Sequence, residues 1–397
     1  MSNSPNAPAA ATPKPGSQSA LRQRNEQLIV ASLRENGALT QAELARATGL
    51  STATISNIVK SMCSSGLATT EPTTSSGRRA LAVSLLETPE VAAGIDFGRS
   101  HVRIILASPG FAVKAEKFVH LPVGHLARES IATAAAMLEG LLLESGISRS
   151  QVTGAGVGVP GPIDHRTGTV IRGAILPEWV GVDIVSQLEK ALRMPVFADN
   201  DANLGALAQV TWSEHRTVRD LMFLKIGSGI GAGLILNGSP YYGHTGITGE
   251  IGHAPIFDQG LVCRCGNRGC LETVASTAVM IELLSRGEPA TLSVADVIDR
   301  ALSGDAATLR VIDDAGMAVG KAVANVANMI NPEIIVVGGP LAPLGETLLA
   351  PIRRGLVRHA VPAVGEGTQV AMSSLGDRAE ALGAISLALS HSRHWPR

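Results

Sequence analysis

Aromatic side chains are scarce in this chain: three Trp, two Tyr and six Phe among 397 residues. Its cores must therefore be built from Val, Leu, Ile and Ala, which a hydrophobic content of 45% supplies. Cysteine is scarce too, and four in a chain this long exclude a disulfide scaffold. No apolar run reaches the roughly 18 residues of a membrane-spanning helix, so no membrane partner is expected. The opening, Met1 to Ser19, is rich in Ser, Pro and Ala and lacks the apolar centre of a signal peptide. It reads as a disordered tail on a cytoplasmic protein. Excess charge of either sign is missing as well. The 33 Lys and Arg balance 34 Asp and Glu to a net −1, so any basic surface must be local. The length suffices for two or three domains.

Residues 20–87 have their own texture. Leu21 to Asn36 has a helical pattern that ends at Gly37. Thr40-Gln-Ala-Glu43 is a capping box for a second helix, which stops at Gly49. Ser51 is suited to cap a third helix, with Ile55, Ile58 and Met62 on its inner face. Thr69 to Leu85 reads as a hairpin with Arg78 and Arg79 near its tip. Three helices, a tight turn and a hairpin describe a winged helix-turn-helix for double-stranded operator DNA. Ser51, Thr52, Thr54, Ser56, Asn57 and Lys60 offer short polar groups to base edges and phosphates, and Arg78 and Arg79 reach phosphate or the minor groove. From Leu21 to Ala80 seven basic residues face four acids, a local +3 of the right sign. One such module reads few base pairs, so the rest of the chain is expected to dimerise it.

Residues 88–397 read as α/β. Strands are expected at Val91 to Phe97, His101 to Ala107, Phe111 to Val119, Val152 to Val159, Pro195 to Ala198, Asp220 to Ile226, Gly231 to Leu236, Glu333 to Val337 and Gln369 to Met372. A strand, a glycine loop and a second strand occur twice, around Gly98 and around Gly227-Ser228-Gly229. That repetition points to two related lobes flanking a cleft, with lobe 1 spanning about 88–213 plus the C-terminal helix and lobe 2 about 214–376. Glycines in such loops let a phosphate approach backbone amides. Asp199-Asn200-Asp201-Ala202-Asn203 follows a strand and opens a helix, where α/β proteins gather ligand-binding groups.

Three of the four cysteines, Cys263, Cys265 and Cys270, fall within eight residues, and His253 lies ten positions upstream. One His and three Cys in this spacing read as a tetrahedral zinc site. Four protein ligands leave no open position, so the metal is a structural brace rather than a catalyst.

Three segments together resemble one family, the ROK proteins (repressors, open reading frames and sugar kinases): Gly249-Glu-Ile-Gly-His253, Cys263-x-Cys-Gly-x-x-Gly-Cys270-x-Glu272, and Asn200-Asp-Ala-Asn203. The resemblance covers nearly the whole chain after the tail. It implies an actin-like, hexokinase-type two-lobed ATPase fold preceded by the winged helix of the family's repressor branch. It also implies sugar contacts from Asn200, Asp201, Glu250, His253 and Glu272, with Asp201 at the position of the kinase base. Family habit adds a homodimer or homotetramer.

The departures favour a sensor over an enzyme. Family kinases carry Asp-x-Gly-Gly-Thr-Lys in the first phosphate loop. Here the run is Asp96-Phe97-Gly98-Arg99-Ser100-His101. Ser228 stands for threonine in the second loop, and Pro340 follows Gly338 and Gly339 where a third glycine is common. The expectation is a regulator, a repressor of carbohydrate-utilisation genes, that answers to a sugar or sugar phosphate. The alternative is an ATP-dependent sugar kinase with Asp201 as its base.

Overall fold

The computed structural model describes residues 18–75, 78–86, 89–164, 167–171 and 175–391. The first 17 residues of the expected tail and the hairpin tip Ser76-Gly77 lie outside these. The chain divides into two units. One holds the described residues up to Leu86 with the chain's end from Leu389; the other is Pro89–Ala388.

The first unit starts with α1 (Gln18–Asn36), which buries Ile29, Val30 and Leu33. A two-residue strand that the sequence did not suggest, β1 (Leu39–Thr40), joins the hairpin sheet. It leads into α2 (Gln41–Thr48). The capping box forms: the Thr40 hydroxyl accepts from the Glu43 N–H at 3.3 Å, and the Glu43 carboxylate accepts from the Thr40 N–H at 2.8 Å. Gly49 stops the helix in the left-handed region at φ 70°. Ser51 caps α3 (Thr52–Ser64), whose Ile55, Ile58 and Met62 are buried. Strands β2 (Ala68–Ser75) and β3 (Arg78–Leu85) pair antiparallel, giving a sheet ordered β1-β3-β2.

In the second unit β4 (Val91–Phe97), β5 (His101–Ala107) and β6 (Val113–His120) form an antiparallel meander. β6 begins two residues later than expected, because Phe111 turns at φ 58°. Helix α4 (Ala127–Ser145) leads to β7 (Val152–Val159), parallel to β4. A short hairpin, β8 (Ile163–Asp164) with β9 (Thr169–Val170), and helix α5 (Ile184–Leu192) precede β10 (Val196–Asn200), parallel to β7. Helix α6 (Asp201–Trp212) follows at once.

The second lobe repeats the scheme with β11 (Leu221–Ile226), β12 (Ile230–Leu236) and β13 (Ser239–Pro240) as its meander. Helices α7 (Glu272–Ala275), α8 (Thr277–Leu284), α9 (Val294–Leu302) and α10 (Ala306–Ile330) come next. Then β14 (Ile334–Gly338), α11 (Glu346–His359), α12 (Pro362–Gly367) and β15 (Gln369–Met372) complete the parallel half. The two sheets run β10-β7-β4-β5-β6 and β13-β12-β11-β14-β15. Read from opposite ends they are the same topology, a duplication that the repeated glycine loops had signalled. Each lobe has its own core of Val, Leu, Ile and Ala. Trp179, fully buried, stacks at a tilt on Phe97 with ring centroids 5.0 Å apart and closes the first.

Helix α13 (Ala379–Ser390) returns to the first sheet, so the chain's last helix belongs with its first lobe. At Gly156 of β7 a Cβ would lie 1.8 Å from the Ala384 carbonyl oxygen. Only glycine lets the helix approach this closely. Leu204 of α6 packs with Ala384 and Leu387 of α13, so the two helices meet.

Candidate functional site

A 3₁₀ turn, Ile251–His253, brings His253 to the loop 262–270. In that loop the Cys263 N–H donates to the Asn267 carbonyl at 2.7 Å and the Gly266 N–H to the Cys263 carbonyl at 3.0 Å, which folds Cys263 and Cys265 to one side. A bridge between Pro255 and Cys270 supplies the third thiol. The four donor atoms of His253, Cys263, Cys265 and Cys270 lie within 4.8 Å of one another. Cys263 Sγ is 3.5 Å from His253 Nδ1, and Cys265 Sγ is 3.7 Å from Cys270 Sγ. A tetrahedron with metal–sulfur bonds of about 2.3 Å has edges of about 3.8 Å, so the donor set suits a tetrahedral metal. Burial lowers the pKa of His253, which favours the neutral imidazole a metal needs. Burial and the neighbouring thiols push Cys270 up to about 12, so a metal binding there would have to displace that proton.

The other ring nitrogen of His253 faces away from the thiols, with Nε2 3.8 Å from Glu250 Oε2. Asn200, Asp201, Glu250, His253 and Glu272 all line one small cavity of about 60 Å³, together with Gly161. Burial, with the carboxylates of Asp201 and Glu272, raises the Glu250 pKa to about 7. Asn200 is largely committed to the fold. Its amide oxygen caps α6 by accepting from the Ala202 N–H at 2.8 Å, and its NH₂ donates to the Gly161 carbonyl at 2.9 Å. Asp201 accepts from the Ala202 N–H through Oδ1 at 2.8 Å and from Lys225 Nζ through Oδ2 at 2.8 Å.

Arg264, Lys225 and Glu380 of this centre escaped the sequence reading. Arg264, between two of the cysteines, pairs with Glu272 across the cavity. A Cβ on Gly229 would sit 2.6 Å from Glu272 Oε2, so the glycine of the second loop makes room for that carboxylate. Lys225, the one charge in the apolar strand Leu221–Ile226, pairs with Asp201 at 2.8 Å and with Glu380 of α13 at 3.0 Å. Burial works against its ammonium. The carboxylates of Asp201, Glu380 and Asp96 outweigh that and hold it charged well above the ordinary lysine range. The lone charge in β11 was a legible signal for Lys225. Glu380 had none, because α13 reaches the site only through the tertiary fold.

Residues of the glycine loops border a larger cleft of about 780 Å³ that Lys225 also lines. Asp96, Ser100, Gly227, Ser228 and Gly339 line it, while Gly98 and Gly229 line the smaller cavity. Gly338 lines neither and packs against Phe223. The first loop is closed on itself: the Gly98 N–H donates to the His101 carbonyl at 2.9 Å, and His101 Nε2 lies 3.0 Å from Asp96 Oδ2. His101 lines the larger cleft while its ring engages the Asp96 carboxylate. Arg99 lines both cavities.

In the first unit Thr52, Ser56, Asn57 and Lys60 form an exposed polar face on α3, and Arg79 is exposed on β3. Thr54 departs from the expected outward face. It is half-buried, and its hydroxyl is 2.8 Å from that of Ser51, so these two residues hold the helix start. The Arg78 side chain lies outside the described residues.

The ROK family profile matches residues 92–391. The chain belongs to the ROK family. A MarR family profile matches residues 24–79, over the winged helix. The xylose repressor of Caldicellulosiruptor bescii is 27% identical over 396 residues, 96% of this chain and 99% of that protein. A glucokinase of Halalkalibacterium halodurans is 34% identical over 251 residues, 59% of this chain and 76% of that protein. Among solved structures, a ROK family transcriptional regulator, a homologue of the E. coli MLC protein, aligns with TM-score 0.72 at 24% identity, covering 95% of this chain and 98% of that one. The duplicated topology is therefore the ROK, hexokinase-type fold, and the winged helix is the helix-turn-helix of its regulators. Among the described residues no helix is long and apolar enough to cross a membrane.

Proposed function

We propose that this ROK protein is a sugar-responsive repressor of carbohydrate-utilisation genes. One observation carries the reading: the likeness to a xylose repressor runs through both units, whereas the glucokinase likeness takes in 59% of the chain. The exposed face of α3, with Thr52, Ser56, Asn57 and Lys60, reads operator DNA. Arg79, and Arg78 beside it, hold phosphate. A sugar or sugar phosphate binds among Asn200, Asp201, Glu250, His253 and Glu272, whose carboxylates and imidazole match paired hydroxyls.

A pocket of about 150 Å³ is filled by a benzene molecule, so a pyranose needs more room than the ≈ 60 Å³ present. A cleft of about 620 Å³ adjoins it across Arg264 and Glu272, so admission of the sugar divides this pair and lets the lobes part. That motion alters the spacing of two winged helices in a homodimer or homotetramer and with it operator affinity. Zinc on His253, Cys263, Cys265 and Cys270 braces the loop that carries Glu272 and fixes the His253 ring through Nδ1.

A thermal-shift screen of sugars, sugar phosphates and ATP tests the reading. A sugar or sugar phosphate is expected to raise Tm, and Glu272→Gln to abolish the shift. The kinase alternative is favoured by one observation, the retained Asp201. A coupled assay with a hexose panel and ATP decides it: turnover lost on Asp201→Asn would establish the enzyme.

A further inference from the structure

Phosphoryl transfer in this kind of cleft needs two things beside a bound sugar. A divalent ion must neutralise the phosphates, and a carboxylate must be free to take the hydroxyl proton. The position between the two cavities is already filled. Lys225 lines both the ≈ 780 Å³ cleft and the ≈ 60 Å³ cavity, as Arg99, Gly227 and Ser228 do, so its ammonium lies on the border a phosphoryl group would cross. Its strand partners are Gly231 on one side and Gly338 on the other, which leave the side chain unflanked on the sheet. It meets Asp201 at 2.8 Å and Glu380 at 3.0 Å. The second oxygen of Asp201 accepts from the Ala202 N–H, so each oxygen already holds a donor and an incoming hydroxyl must share the carboxylate with the ammonium. Asp96, the other carboxylate of the loops, is turned to His101.

We propose that Lys225 is a resident cation standing in place of a divalent ion, so that the cleft recognises a sugar through Asp201 without phosphorylating it. This rests on the sugar reading of the cleft and adds to it the residue that separates sensing from catalysis. An incoming sugar hydroxyl shares Asp201 with the ammonium, and no metal is required for that contact.

Titration of the zinc-loaded full chain with Mn²⁺, followed by the electron paramagnetic resonance of the free ion, tests the proposal. Wild type is expected to bind no Mn²⁺ that depends on Asp201. Lys225→Met keeps the length of the side chain and drops the charge. It is expected to gain a Mn²⁺ site at least tenfold tighter than any in wild type, lost again when Asp201→Asn is added. A folded Lys225→Met protein that gains no such site contradicts the proposal. So does a wild-type site that disappears in Asp201→Asn. Should the Met variant not fold, wild type against Asp201→Asn decides alone: negligible Mn²⁺ in both upholds it, and an ion lost with Asp201 overturns it. The titration uses neither DNA nor sugar, so its failure leaves the regulatory reading standing, and a sugar-blind repressor leaves the Mn²⁺ result untouched.

Discussion

Glu26 is the least comfortable residue of the winged helix. It is fully buried on α1, and among the described residues neither carboxylate oxygen has a hydrogen-bond partner. Burial pushes its pKa up to about 8, against the pull of Arg22. The unfolded chain ionises Glu26 near pH 4.5, while the fold keeps it protonated. Its contribution is therefore fully present below pH 4.5, is lost as the pH rises, and levels off above about 8. Glu26→Gln should remove that decline and strengthen this unit at pH 8 by an amount on the order of a few kcal/mol. Hydrogen-exchange protection of the α1 amides in the intact chain checks it. Protection that loses nothing between acid and neutral pH, after correction for intrinsic exchange, would contradict it. In the proposed sugar site, Arg264 is paired with Glu272. Arg264→Ala should leave Glu272 free and tighten sugar binding, measured by calorimetry with the sugar found in the thermal screen. Weaker binding would make Arg264 a sugar contact instead.

At the scale of elements, the glycine content serves close approach of helices to sheets. Gly156→Ala drives a methyl group into the Ala384 carbonyl and should displace α13 from β7, costing about 3 kcal/mol or more. A drop in Tm of several degrees is the expected reading, and an unchanged Tm would mean that α13 is not held there. Most elements were legible because their signals are local. The Thr40 and Ser51 caps, the Gly49 stop and the apolar strand Val152–Val159 each follow from a few adjacent residues. The two-residue β1 was not legible, since it exists only by pairing with β3. Asn200, read from the sequence as a sugar contact, spends most of its amide on capping α6 and on the Gly161 carbonyl while it lines the cavity.

For the whole molecule, the duplication was announced by two glycine loops, and the candidate site by motifs that sit close together in sequence. What the sequence hid is long-range: Glu380 arrives on the last helix, and Lys225 acquires its meaning only from the carboxylates around it. The four-donor cluster belongs to one unit and the operator-reading helix to the other, which separates two outcomes of metal loss. Chelation of zinc should lower sugar affinity at least tenfold and leave DNA affinity at fixed ionic strength unchanged. Loss of DNA binding together with zinc would show that the metal serves the winged helix too.

The central claim is that a sugar in the ROK cleft governs the winged helix. Fluorescence anisotropy of the full chain on an operator selected from genomic fragments, titrated with sugars and sugar phosphates at constant salt, measures it directly. One member of the panel should change operator affinity at least tenfold. Glu272→Gln should keep the affinity and lose the change. Operator affinity indifferent to every sugar in the panel, or a sugar response that survives Glu272→Gln intact, would contradict the claim.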